Sequence, residues 1–498
     1  MWSSGGWRVH VLAALLATAA CARPSARPAA EVPRAAASSR PWQQYANVAQ
    51  AGFDADALAA VCDRADELRS AAVMAVYRGH VLLACGDVSR PLEAHSVRKS
   101  LVSALIGIAA GRGEIDLDAR LADFAIDERT LLTATERSAT IRQVIAARSG
   151  VYLPAAYAPM SQNQRPARGS HAPGSHWFYN NWDFNVAGVV YERATRQDLY
   201  ASFVQRLVVP LGMEDWRQGH GFPVYEPTKS RHPAHTFRIS ARDLARVGQL
   251  YLQDGRWNGR RILSAEWVRE STRPHTDDGD GTGYGYMWWT YQAGSTFTAR
   301  YPALGRMSFF RALGTGEQGL WVVPAAQLVV VHRADTDHAR TVDGSDHWAL
   351  VERIVAARRR DPDAEAALRP LQPTPFVSQL PAATPPERAP HGPTAVDAYM
   401  GAYEIGQTTT AIAGRALTPG GSIRVFLFHG EPYLHMPGVG DVQLFATGRD
   451  AFTARALPGL AVTFARGRAG DVTSVSIELR GHSVTAVRAK AQPAAFLP

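Results

Sequence analysis

The sequence predicts an α+β fold: an antiparallel sheet flanked by helices and interrupted by a helical insertion, followed by a small all-β barrel domain. Three observations lead there. The ordered region opens with a helix and then a hairpin, strand-like runs return only after a long helical middle, and short glycine-punctuated strands follow a proline-dense stretch. At 498 residues the chain exceeds one core of ordinary size, so two or three domains are expected.

The elements follow in order. Arg8 precedes an apolar run over 11–17 and the small residues Thr18, Ala19 and Ala20, so 1–21 reads as an export signal. The run is too short for a permanent membrane span. Cys21 after Ala-Ala fits a lipoprotein cleavage site, with Thr18 standing where leucine is usual; lipidation of Cys21 and plain signal-peptide cleavage both fit. Either way the destination is the periplasm or the cell envelope. Residues 22–41, rich in Ala, Pro, Arg and Ser, are a tether without the large apolar groups a core needs.

A first domain spans 42–360. Apolar residues recur at helical spacing over 53–68, and 72–77 and 81–85 flank Arg78-Gly79-His80 as a hairpin. Ser240-Ala241-Arg242-Asp243 caps a helix running through Leu252. Strands are expected over 284–290, 319–323 and 328–332, then a helix over 347–358. Residues 361–393 read as a linker, and 394–498 as the barrel, with strands over 423–429, 442–446, 460–464 and 472–479. Cys62 and Cys85 form an even pair in an oxidising compartment. Because spacing alone does not bring them within bonding distance, two unpaired buried cysteines are expected ahead of a disulfide.

Composition excludes some functions. The content, 46% hydrophobic and 20% charged, is globular, and the net charge of +8 is not gathered into the basic-aromatic patch that nucleic acid requires. The one run, Arg358-Arg359-Arg360, closes a helix, where cations suit the dipole. Sixteen histidines include no H-E-x-x-H, and His232 and His235 flank a proline, so no metal or other cofactor is called for. No serine lies in G-x-S-x-G, which disfavours an α/β-hydrolase.

The chemistry concentrates at His95-Ser96-Val97-Arg98-Lys99. Val97, Leu101, Leu105 and Ile108 make an apolar stripe widened by Val102, Ile106 and Ala109, which predicts a helix buried on most sides. Ser96 falls at its N-terminus, where backbone N–H groups favour developing negative charge, and Lys99 lies one turn on, on the same face. Burial lowers a lysine pKa, making Lys99 a proton acceptor for Ser96. The bland alternative is that Ser96 caps the helix and Lys99 reaches solvent. Scarcity weighs against it: among 53 basic residues only Lys99, Lys229 and Lys490 are lysine, so this is the sole S-x-x-K.

A serine-lysine pair needs another group to manage the leaving-group proton. Tyr179 and Asn181 form a Y-x-N motif: the tyrosine, beside an ammonium, ionises more easily and shuttles protons, and the asparagine positions Lys99 and the substrate carbonyl. Rivals are Tyr45-Ala46-Asn47, in the tether region, and Ser161-Gln162-Asn163, in a polar loop. Tyr179 is preferred because aromatic neighbours bury and orient it.

The ordered set S-V-R-K (96–99), A-R-S-G-V-Y (147–152), F-Y-N-N-W-D-F-N (178–185), I-S-A-R-D-L-A-R (239–246) and Y-G-Y-M-W-W (284–289) resembles the serine β-lactamase and penicillin-binding-protein superfamily. Within it the chain is most similar to class C-like esterases and 6-aminohexanoate-dimer hydrolases. The resemblance covers about 42–360, and the segment from Ala398 resembles the lipocalin-like barrel often appended to such hydrolases. It implies that Ser96 is acylated, with Lys99 and Tyr179 as the acid-base pair and Asn181 positioning.

Relatives carry K-T-G on the strand facing the nucleophile; here the corresponding stretch is Gly314-Thr315-Gly316-Glu317, without the lysine. Thr315, Gly316 and Glu317 are the expected substrate-binding residues. Their backbone supplies one oxyanion donor and the Ser96 N–H the other. A glycine bulge in an ordinary strand is the alternative. The missing lysine normally pairs with a substrate carboxylate, so the expected substrate is a neutral small-molecule or peptide-like ester or amide rather than a β-lactam. A D-alanyl-D-alanine carboxypeptidase or β-lactamase anchoring its substrate through Arg311, and a binding protein without turnover, are the competing readings.

Overall fold

The computed structural model describes residues 41–158, 164–383, 396–406, 410–412, 415–417 and 420–489. The export signal with Cys21, nearly all of the tether, Ser161 and Lys490 lie outside the described residues. The described residues fall in one compact unit, Ala37–Pro498.

A ten-stranded sheet organises the first domain. Its strands are β1 (Gln43–Tyr45), β2 (Ser70–Tyr77), β3 (His80–Gly86), β4 (Thr276–Asp277), β5 (Thr282–Tyr284), β6 (Trp289–Tyr291), β7 (Phe309–Gly314), β8 (Gln318–Val323), β9 (Leu328–Ala334) and β10 (Leu368–Pro370). They lie in the order β10-β1-β3-β2-β9-β8-β7-β6-β5-β4. Every neighbouring pair is antiparallel except β1 and β3. The early and late parts of this domain meet at the centre: β2 pairs with β9 along its whole length, so sequence-distant strands make one sheet.

The central strands are buried on both faces. Along β2, Ala72, Met74 and Val76 enter one core while Val73, Ala75 and Tyr77 enter another, as a period of two requires. Helices α1 (Ala55–Glu67) and α5 (Gly344–Ala356) cover the second face. The first is covered by α2 (Arg98–Gly111), α3 (Asn181–Thr195) and α4 (Ala241–Leu252). Asp54 caps α1 and Ser240 caps α4 through their side-chain oxygens.

Several expectations are corrected. Cys62 and Cys85 are joined as a disulfide: α1 lies on β3 and brings their Cα atoms to 5.7 Å, a proximity no local spacing encodes. The strand expected over 284–290 is two strands, because Gly285 to Trp288 turn sharply with Met287 at φ 64°. Ser103 and Ser100 of α2 hold that turn, donating to the carbonyls of Tyr286 and Met287 at 2.7 Å each. The stretch read as a linker from 361 is laid on the domain as far as residue 383. There β10 pairs with β1, and Phe376 is buried against Gly86 of β3.

Past residue 395 the chain forms a nine-stranded antiparallel sheet: β11 (Gly401–Ile405), β12 (Ser422–Phe428), β13 (Glu431–Met436), β14 (Gly440–Gln443), β15 (Phe445–Gly448), β16 (Ala451–Thr453), β17 (Leu460–Arg466), β18 (Val472–Leu479) and β19 (His482–Arg488). The order is β14-β13-β12-β11-β19-β18-β17-β16-β15. Its two outermost strands, β14 and β15, are joined by Leu444 alone, so the sheet curls nearly closed around a core of its own.

Candidate active site

Ser96 stands where strand gives way to helix. His95–Val97 form a single tight turn leading into α2, in which every residue from Arg98 to Ala109 is buried. Neither the turn nor α2 is closed by a side-chain cap, so Ser96 is not a capping residue. Lys99 is 2% exposed and does not reach solvent. Its Nζ donates to Ser96 Oγ at 2.7 Å. The ammonium form is disfavoured: burial, then the neighbouring Arg98 guanidinium, hold the Lys99 pKa well below the ordinary lysine value.

Tyr179 completes the cluster. Its hydroxyl hydrogen-bonds the Ser96 hydroxyl, and its ring lies 4.8 Å from Lys99 Nζ. Against the expectation that Tyr179 ionises easily, burial pushes its pKa up to about 12, outweighing the Ser96 bond and Arg98. Lys99, whose ammonium form burial disfavours, is not among the groups that lower it. Phe184, Tyr284 and Trp289 surround the Tyr179 ring, and Trp289 stacks on it at 5.5 Å. Trp177 packs against Tyr284 and Trp289, so an aromatic cluster backs Tyr179.

Asn181 begins α3. Its Nδ2 donates to the Tyr157 carbonyl at 3.1 Å, while Oδ1 is buried with no hydrogen-bond partner among the described residues. One turn on, Asn185 donates to the Ala156 carbonyl and accepts from buried Arg98 at 2.7 Å.

The strand β7 brings its end against the nucleophile. A Cβ on Gly314 would lie 2.6 Å from the Ala94 carbonyl and 3.0 Å from Ser96 N, so only a glycine permits this approach. Thr315, Gly316 and Glu317 form the following turn, with Gly316 at φ 79° and Glu317 at φ 67°. Glu317 directs its carboxylate to His347 Nδ1 of α5, 2.7 Å away, and its carbonyl to His332, so its side chain serves the far side of the hairpin. Arg311 points the other way from Gly314, as strand alternation demands. Its guanidinium lies 4.6 and 4.4 Å from the rings of Trp321 and Trp348 in the α1–α5 core.

Sequence reasoning missed His95, Tyr157 and Glu93. His95 adopts φ 47°, its Nδ1 is 2.7 Å from the Tyr157 hydroxyl, and its Nε2 is 2.9 Å from Thr336 Oγ1. Burial drives the His95 pKa to about 3 and that of Glu93, whose carboxyl lies near Tyr157, up to about 7. The adjacency of His95 to Ser96 was a readable signal; nothing local marks Tyr157.

A family model described as Beta-lactamase matches residues 55–352, more than half of the chain. This chain belongs to the beta-lactamase family. It is thus of the serine hydrolase superfamily, and its mixed sheet with flanking helices is the beta-lactamase-like fold. Solved structures with similar folds include a putative 6-aminohexanoate-dimer hydrolase from Bacillus anthracis, 19% identical, over 59% of this chain and 80% of that one, at TM-score 0.45. SurE is 18% identical over 87% of this chain and 98% of its own, at TM-score 0.44. A putative beta-lactamase from Bacteroides dorei is 16% identical over 62% of this chain and 100% of its own, at TM-score 0.46. No curated protein matches.

Proposed function

We propose that this beta-lactamase-family chain transfers an acyl group from a neutral ester or amide to Ser96 and then to water. The observation that carries the reading is the buried, charge-disfavoured Lys99 donating at 2.7 Å to a Ser96 hydroxyl that Tyr179 also holds. A neutral amine beside a serine hydroxyl is a base in place.

As Ser96 Oγ bonds to the acyl carbon, its proton passes to Lys99 Nζ, and the Ser96 N–H with the backbone at the end of β7 faces the developing oxyanion. When the carbonyl re-forms, the bond to the leaving group breaks. Tyr179, protonated because its pKa is raised, gives that group its proton and recovers one from the Lys99 ammonium. Water repeats the sequence on the acyl-serine: it gives up a proton through the same pair, bonds to the acyl carbon, and Ser96 leaves with its hydroxyl restored. Asn181 Oδ1 is an acceptor for the transient ammonium or for a substrate N–H.

A neutral substrate is supported by Gly314 standing where relatives carry lysine and by Arg311 lying on the opposite face of β7. The half-buried rings of Trp177 and Trp289, packed on Tyr284, suit an apolar acyl or leaving group. The test is intact mass after reaction with a fluorophosphonate, together with turnover of p-nitrophenyl butyrate and nitrocefin. A stable adduct on Ser96, absent in Ser96→Ala, with ester turnover well above nitrocefin turnover, is expected. Nitrocefin turned over faster than the ester would overturn the substrate reading, and no adduct in folded protein would overturn the hydrolase reading.

We also propose export to the cell envelope, on the apolar run before Cys21. The N-terminal mass of the mature protein tests it. Loss of residues 1–20 with a diacylglycerol on Cys21 identifies a lipoprotein, loss without the lipid a free exported protein, and an intact Met1 refutes both.

A further inference from the structure

The barrel meets the helical insertion at a loop over 225–230, and the contact is polar and specific. Asp441 in β14, 1% exposed, accepts from the backbone N–H and the hydroxyl of Thr228 at 2.7 and 2.8 Å. His435 Nδ1 lies 2.7 Å from its other oxygen. Gly440, at φ 121°, lies so close to the loop that a Cβ there would be 2.8 Å from Glu226 Oε1 and 2.9 Å from Lys229 Nζ. Lys229 pairs with Glu226 at 2.6 Å, which gives a place to the second of the chain's three lysines.

The buried Glu226 carboxylate lies beside the backbone N–H of Tyr157, whose dipole favours its ionised form against the raising effect of burial. Tyr157 holds φ 54°, a left-handed conformation unfavourable for a bulky residue and retained only where surroundings impose it. Tyr157 faces the site through two polar groups: its carbonyl accepts from Asn181 Nδ2 at 3.1 Å and its hydroxyl lies 2.7 Å from His95 Nδ1. Its ring joins an apolar cluster of Phe222, Val224 and Ala234 that includes Ala456 of the barrel.

We propose that the barrel is a working part of the hydrolase site, its Gly440 and Asp441 fixing the 226–229 loop and so holding Tyr157 where it orients His95, Ser96 and Asn181. Tyr157 is a positioning residue, acting through the residue before the nucleophile and through the carbonyl that aligns Asn181. The inference rests on Ser96 being the nucleophile. It assigns the barrel a role in the rate of acylation and not in substrate capture.

The test uses the full chain with p-nitrophenyl butyrate, comparing Thr228→Val, Asp441→Ala, Tyr157→Phe and the Tyr157→Phe/Asp441→Ala double variant. Each single variant is expected to lose about tenfold in kcat with KM within about twofold, because geometry at the serine is disturbed while the aromatic cluster is not. The double variant should be no slower than the slower single one, since both act on one chain of contacts. Glu478→Gln, on an exposed face of the barrel, should match the wild type. Folded Thr228→Val and Asp441→Ala turning over at the wild-type rate would overturn the proposal, as would losses that multiply to about a hundredfold in the double variant. If Asp441→Ala fails to fold, Thr228→Val alone decides. Absence of a fluorophosphonate adduct on wild-type Ser96 would instead mark failure of the hydrolase reading, which separates the two.

Discussion

Replacing Gly314 with alanine adds one methyl group at the point where β7 touches the nucleophile. The added Cβ falls 2.6 Å from the Ala94 carbonyl, 3.0 Å from Ser96 N and 3.1 Å from His95 Cβ. Carbon and oxygen in ordinary contact stand about 3.3 Å apart, so strand and turn must separate by about 0.7 Å. Two of the three obstructing atoms are backbone and the third is a Cβ, so no rotamer change relieves the clash. A misplacement of about 1 Å in a positioned site costs roughly a hundredfold in rate. The Gly314→Ala variant should therefore lose about 30- to 100-fold in kcat/KM, or about 2 to 2.7 kcal/mol of transition-state stabilisation. Overpacking should lower folding stability by a further ~1–3 kcal/mol. Hydrolysis of p-nitrophenyl butyrate gives the first quantity and urea unfolding the second. Gly314→Lys, which would restore the residue of the K-T-G motif, carries the same Cβ and should lose at least as much, with no gain toward carboxylate-bearing substrates. A folded Gly314→Ala protein within threefold of wild-type kcat/KM would refute the argument that this close approach sets the geometry at Ser96.

Other perturbations have signs fixed by the structure. Because Lys99 must be neutral to accept the serine proton, kcat/KM should fall about tenfold per unit as pH drops below its lowered pKa. Lys99→Arg, which stays charged, should be inactive across the pH range of the assay. The same burial makes Lys99 a cost to folding: below the ordinary lysine pKa the unfolded chain binds the extra proton, so stability rises with pH, and Lys99→Met should melt higher than wild type at pH 6 while remaining inactive. Removing the Cys62–Cys85 bond, which spans 23 residues, should cost about 3 kcal/mol, read as a lowered urea midpoint in the Cys62→Ala/Cys85→Ala variant. Arg311→Met should lower stability by about 1–2 kcal/mol through loss of its stacking between Trp321 and Trp348, and leave KM for a carboxylate-bearing peptide unchanged. A raised KM for that peptide would revive Arg311 as an anchor.

The sequence alone determined what depends on short separations. Ser96 and Lys99 meet because a helix brings residues three apart onto one face, and the all-round apolar character of α2 already implied that the lysine is buried. The Arg78-Gly79 hairpin, the Ser240 cap, the scarcity of lysine and the missing lysine before Thr315 were equally local. Tertiary structure decided the rest. Cys62 bonds Cys85 because a helix happens to cross a strand. The run over 284–290 breaks because Ser100 and Ser103, far away in sequence, satisfy its turn carbonyls. Tyr179 keeps its proton because burial of the whole cluster outweighs any single charge. Gly314 touches Ser96, and Tyr157 links that serine to Asp441, across separations that periodicity does not span. A pattern reports which face a residue occupies, whereas the partner across that face is set by packing of the complete chain, and this site's distinctive contacts are of the second kind.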